Sequence, residues 1–144
     1  MITTRPFFRR DRFTWLAYAL LAYFSYMQAV LGPLTPFLRE ALDLNYTVAG
    51  MHLSALSVGA VLGGLAAEYM LACWGRQRVL WSGGAGMSLG GLLLATALSP
   101  VITISGTFLI GLCGVLVMII GQAGLSDQHG AARAVALAEG SLAS

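Results

Sequence analysis

From Phe13 to Gly124 the chain runs in four long uncharged blocks, and Arg39, Glu40, Asp43, Glu68, Arg76 and Arg78 are the only charges that interrupt them. An α-helix needs about 20 apolar residues to cross a hydrocarbon core of roughly 30 Å, and a soluble core has no use for four such runs in succession. The pattern predicts an all-α, polytopic transmembrane helical bundle. Its expected order is a cytoplasmic tail over 1–12, a first span over 13–32, an extracytoplasmic connector over 33–46 and a second span over 47–70. A short cytoplasmic loop over 71–78, a third span over 79–98, a fourth over 101–121 and a cytoplasmic loop over 122–133 follow. The residues 134–144, rich in Ala and Leu, read as the opening of a fifth helix. Gly32-Pro33 and then Pro36 are expected to close the first helix, and Ser99-Pro100 leaves room only for a hairpin turn between the third and fourth.

Small residues mark the faces on which these helices pack. Ala55, Gly59, Gly63 and Ala67 recur every four residues in the second span, and Gly86 and Gly90 repeat the spacing in the third. In lipid, helices associate through close packing rather than hydrophobicity, so such flat stripes are expected against a neighbouring helix.

Composition supports a chain solvated by the lipid bilayer. Hydrophobic residues make up 58% and charged residues 10%, against about 25% charged in soluble domains, and the mean hydropathy is +0.79. The net charge of +2 does not indicate nucleic acid, because the basic residues are few, all arginine, and mostly flank apolar blocks. Seven of the 8 arginines (Arg5, Arg9, Arg10, Arg12, Arg76, Arg78 and Arg133) fall on one side if the spans alternate, and Arg39 alone on the other. Positive charge retained on the cytoplasmic side then puts the N-terminus inside, as expected of a multi-pass protein of the cell's inner or plasma membrane. Trp15, Trp74, Trp81 and Tyr46 lie near the expected boundaries, where aromatic anchors belong. A basic segment before an apolar run also fits a signal peptide, but the run is long, three more follow it, and no clean small-x-small site precedes Gly32.

Candidate chemistry is sparse. Cys73 and Cys113 suggest neither a disulfide framework nor a metal site. The chain has no His-Glu-x-x-His, no Gly-x-Ser-x-Gly and no lysine for a P-loop, so no catalytic residue, metal or cofactor is expected. Gly84 to Gly90 resembles a dinucleotide loop only superficially and lies inside a span. On the first helix Tyr18, Ala22, Ser25, Gln28 or Ala29, and Gly32 form a small, mildly polar stripe. Unpaired polar groups in hydrocarbon cost several kcal/mol, so this stripe should face protein or a wet cavity. His52, about a turn and a half into the second helix on its outer side, could relay protons but reads rather as a hydrogen-bonded interfacial residue. Glu139 is sufficiently explained by the dipole of a helix starting there.

The segment Gly32-Pro33-Leu34-Thr35-Pro36-Phe37-Leu38-Arg39-Glu40, the Gly/Ala-rich second span, the turn Gly75-Arg76-Gln77-Arg78-Val79-Leu80 and Ala138-Glu139-Gly140 together resemble the first four to five of the twelve helices of a major facilitator superfamily transporter. That family carries Gly-x-x-x-Asp-Arg/Lys-x-Gly-x-Arg/Lys-Arg/Lys between its second and third helices. Anchored on Gly75, the motif keeps Arg76 and Arg78 but has Ala72 in place of the acid; anchored on Gly64, it finds Glu68 as the acid with Gly75 about one turn late. The resemblance implies alternating-access transport of a small-molecule substrate, a cytoplasmic gating loop of Gly64, Glu68, Gly75, Arg76 and Arg78, a substrate path touching Ser25, Tyr26 and Gln28, and further transporter helices downstream. The alternative is a small four-helix membrane scaffold or assembly protein without transport. A four-helix multidrug exporter is disfavoured, because such proteins use a membrane-embedded glutamate in the first helix and none stands between Phe13 and Leu38.

The inside N-terminus predicts that a Ser126→Cys variant reacts with an impermeant maleimide only after cells are permeabilised. Labelling in intact cells inverts the topology.

Overall fold

The computed structural model describes residues 12–96 and 98–129. They form four helices, α1 (Arg12–Ala41), α2 (Tyr46–Trp74), α3 (Arg76–Thr96) and α4 (Pro100–His129). All four are long and apolar enough to cross a membrane, and no strand occurs among the described residues. The chain is therefore a multi-pass membrane protein. Its 1–11 tail and the 130–144 segment, with the fifth helix expected there, lie outside the described residues.

The turns are short because each carries its own stop and start signals. Asp43 takes a left-handed backbone, φ 49°, and the Leu44 amide returns to the Arg39 carbonyl at 2.9 Å, the six-to-one bond of a Schellman closure. Asn45 then caps α2, its side chain accepting from the Val48 amide at 2.8 Å. Between α2 and α3 only Gly75 is non-helical, with φ 76° and ψ 158°, a conformation costly for any residue with a Cβ. Its amide bonds the Leu71 carbonyl of α2 and its carbonyl accepts from Val79 of α3. Ser99 precedes Pro100, the first residue of α4, where a missing amide costs nothing.

Three expected boundaries are corrected. The helix does not end at Gly32-Pro33 but runs through Pro33 and Pro36 to Ala41, so most of the anticipated 33–46 connector is α1. Both prolines and Gly32 are exposed; with no helix packed over them, the rings displace nothing, and the carbonyls of Ala29 and Gly32 simply lose their helical donors. Likewise α4 continues to His129 rather than closing near 121, since nothing between Gly121 and His129 is proline and a glycine alone does not stop a helix. The anticipated loop over 71–78 contracts to Gly75, and Arg76–Arg78 form the first turn of α3.

The four helices surround no common axis; three pack on α4. In α4, 56% of the apolar span is buried, against 28–33% in the others. His52 meets Thr103, Gly59 meets Phe108 and Gly63 meets Leu112, so α2 and α4 run in parallel. Gly83 meets Val117 while Gly90 meets Gly106, so α3 is antiparallel to α4; Phe24 against Gly114 and Leu21 against Gly121 set α1 antiparallel to it as well. The directions alternate as four successive crossings require.

Glycines make this possible at distinct faces of α4. Gly111 lies against the Leu56 carbonyl of α2, Gly106 against the Gly90 carbonyl of α3, and Gly114 beneath the Phe24 ring of α1. On α2 the matching stripe is His52, Leu56, Gly59, Gly63 and Ala67, all buried; Ala55 is half-buried beside it. The tandem pairs Gly83-Gly84 and Gly90-Gly91 let α3 serve two neighbours, because adjacent residues differ by about 100° around a helix. Gly83 and Gly90 face α4, whereas Gly84 lies under Leu20 and Gly91 under Met27 of α1. Gly86 accommodates the Cys113 sulfur.

Gly63→Val and Gly111→Val each put a side chain into facing backbone and are expected to cost about 1–3 kcal/mol or more, read as earlier unfolding in rising SDS. Gly50→Ala, with nothing within 4 Å, should be neutral or slightly stabilising.

Candidate functional site

Three places hold the polar chemistry of the bundle. The first is the outer edge of α1. Its packing face is Thr14, Ala17, Leu21, Phe24, Leu31 and Leu38, all buried. Ser25, Gln28, Ala29, Gly32, Pro33 and Pro36 follow one another at alternating steps of three and one on the other side; Ser25 is half-buried and the rest are exposed. Gln28 lies near the middle of the 30-residue helix. The edge therefore combines a hydroxyl, an amide and the carbonyls of Ala29 and Gly32 that Pro33 and Pro36 deprive of donors. The sequence stripe named Tyr18 and Ala22 with these residues; Tyr18 is buried and Ala22 half-buried, so the stripe is covered toward the start of α1 and open beyond Ser25.

Alongside this edge, α1 and α3 diverge around an open groove of about 630 Å³. Tyr23, Tyr26, Met27 and Phe37 form one wall and Ser88, Gly91 and Leu92 the other. Tyr26 alone of the three substrate-path residues lines it, while Ser25 and Gln28 stand outside. The groove was not legible in the sequence, although the Gly90-Gly91 pair, flattening α3 on its α1 side, was a usable signal.

The second place is the buried hydrogen bond between α2 and α4. His52 is 1% exposed and Thr103 0%. His52 Nε2 lies 2.9 Å from Thr103 Oγ1 and Nδ1 lies 3.2 Å from the Val48 carbonyl. The hydrogen-bonded role anticipated for His52 is thus present, with a partner that no spacing rule could identify.

The third is the pivot at Gly75. Arg76 is half-buried and Arg78 exposed in the first turn of α3, where the helix dipole disfavours cations by about 0.3–1 kcal/mol each. Helix capping is thus not their reason for being there. Glu68 is exposed, and Gly64, eleven residues before Gly75 along the same continuous helix, sits half-buried toward Val115 on α4. The structure does not gather Gly64, Glu68, Gly75, Arg76 and Arg78 into one cluster. Trp15, Trp74 and Trp81 are all exposed at this end, with Tyr46 exposed at the other.

No group of three or more His, Cys, Asp or Glu suited to a metal occurs among the described residues. No family model, curated protein or solved structure matches the chain.

Proposed function

We propose that this bundle forms part of a major facilitator-type secondary transporter in a cell inner or plasma membrane, with its N-terminus inside, and that α1 lines the solute path. The observation that carries the reading is the uncovered polar edge at mid-helix: Ser25, Gln28 and the carbonyls of Ala29 and Gly32, faced by no other described helix. Such groups are costly against lipid and are tolerated where they border water or protein. The four described helices, three of them packed on α4, leave this side of α1 for further helices, and a path enclosed there meets Ser25, Tyr26 and Gln28. The edge carries donors and acceptors without formal charge, which suits the neutral polar part of a small solute. Gly75, with Arg76 and Arg78 beside it, is a one-residue joint on which α2 and α3 can pivot as access alternates.

In the full reading frame, with Cys73 and Cys113 replaced, Gln28→Cys and Ser25→Cys are expected to react with a small hydrophilic thiol reagent. Val61→Cys, on an outward face of α2, should stay inert. If position 28 is as inert as 61, the path does not run along α1, and a scaffold whose α1 edge is sealed by another protein becomes the better account.

A further inference from the structure

The His52 pair carries more than a fixed contact. Thr103 Oγ1 is within reach of three groups: His52 Nε2 at 2.9 Å, the Pro100 carbonyl at 3.0 Å and the Ser99 carbonyl at 3.3 Å. A hydroxyl has one proton to donate and can accept as well. With a neutral imidazole, Nδ1–H donates to the Val48 carbonyl and the Thr103 hydroxyl donates to Nε2. With a doubly protonated imidazole, Nδ1–H keeps its bond, Nε2–H donates to Thr103 Oγ1, and the hydroxyl turns to the Pro100 or Ser99 carbonyl. Every ring nitrogen has a partner in both forms. Most buried histidines fixed by a donor lack this property, since adding a proton sets two donors against each other.

We propose that His52 and Thr103 constitute a proton-binding site clamped between α2 and α4, in which the threonine hydroxyl reverses its hydrogen bond as a proton from water is bound or released. The position suits access. His52 is the seventh residue of the 29-residue α2, roughly 9 Å from its first residue at 1.5 Å per residue. A helix of that length overreaches a core of roughly 30 Å at both ends, which leaves the site close to the headgroup boundary. The ionisable groups at this end are Arg39 and Glu40 on α1, Asp43 in the turn and Tyr46 on α2, with Arg39 held 4.2 Å over the Tyr46 ring. From α4 the site sees Ser99, Thr103 and Thr107, and α3 ends in Thr96, so neither adds a charge at this level. Binding converts a neutral cross-helix bond into a charge-assisted one, roughly twice as strong, so the proton tightens α2 on α4 at this end. The site stands on its own geometry and does not depend on the transport reading.

The test is ¹⁵N NMR of the histidine ring in lipid nanodiscs, in a chain carrying His129→Gln so that His52 is the only imidazole. The expected result is a proton on Nδ1 at high pH and one reversible step to the doubly protonated ring as the pH falls, with the bundle folded throughout. Thr103→Val removes the reversing hydroxyl and should weaken proton binding on the order of tenfold, with Thr103→Ser restoring it. A ring that stays neutral at every pH at which the bundle remains folded, a proton on Nε2 at high pH, or a protonation step indifferent to Thr103→Val overturns the proposal. Should Thr103→Val fail to fold, the tautomer and titration of the parent chain still decide.

Discussion

Backbone-to-backbone contact along α4 is the constraint on which the rest of the bundle depends. Lipid tails are as apolar as leucine, so burying a side chain between membrane helices gains little from water exclusion, and close packing must hold them together. At Gly59, Gly63, Gly90, Gly106 and Gly111 one helix lies directly on the peptide groups of another. That closeness makes α4 the hub: only a helix with glycines on several faces admits three neighbours at such range. The larger side chains follow this frame, with Phe24 seated over Gly114, and Met87, Ile110, Val117 and Ile120 filling the core around it.

The same solvent dictates how hydroxyls are handled. Ser57, Ser88 and Ser105 are exposed, and each returns its proton to a carbonyl four residues back, Leu53, Gly84 and Val101, at 2.8–3.0 Å. Thr35 does the same with Leu31 at 2.7 Å. Within lipid this local bond spares the group an unmet hydrogen bond. Against that background two exceptions stand out. His52 and Thr103 bond across helices, and Gln28, with an amide too large to satisfy in this way, lies on an edge that the described bundle leaves open. Membrane helices concentrate function at such departures, which is why both functional arguments begin from them.

Helix ends show how far local chemistry reaches. The stop at Asp43, the cap at Asn45, the one-residue turn at Gly75 and the Ser99-Pro100 start are each set by a few adjacent residues, and the turns at Gly75 and Ser99 fall within the segments that the residues indicate. The exceptions are instructive: Gly32-Pro33 and Pro36 carry the signals of a helix end, yet α1 passes through them. A proline removes one bond and occupies space on one side; where that side faces outward, the remaining bonds and the packing of Leu31, Leu34 and Leu38 carry the helix onward.

Four apolar runs bounded by charges determined by themselves that the chain is a helical membrane protein, because hydrocarbon admits no other way to satisfy so many peptide groups in single crossings. Spacing alone likewise marked Gly59, Gly63, Gly86 and Gly90 as packing positions. It could not say which helix each would meet, nor that α4, whose own Gly106, Gly111 and Gly114 follow no regular period, would be the centre. Pairing depends on contacts between residues some fifty positions apart, as with His52 and Thr103. Only the tertiary structure decided that these two share a buried hydrogen bond and that the polar edge of α1 is left uncovered by the described helices, since both facts depend on which faces meet and not on what either helix contains.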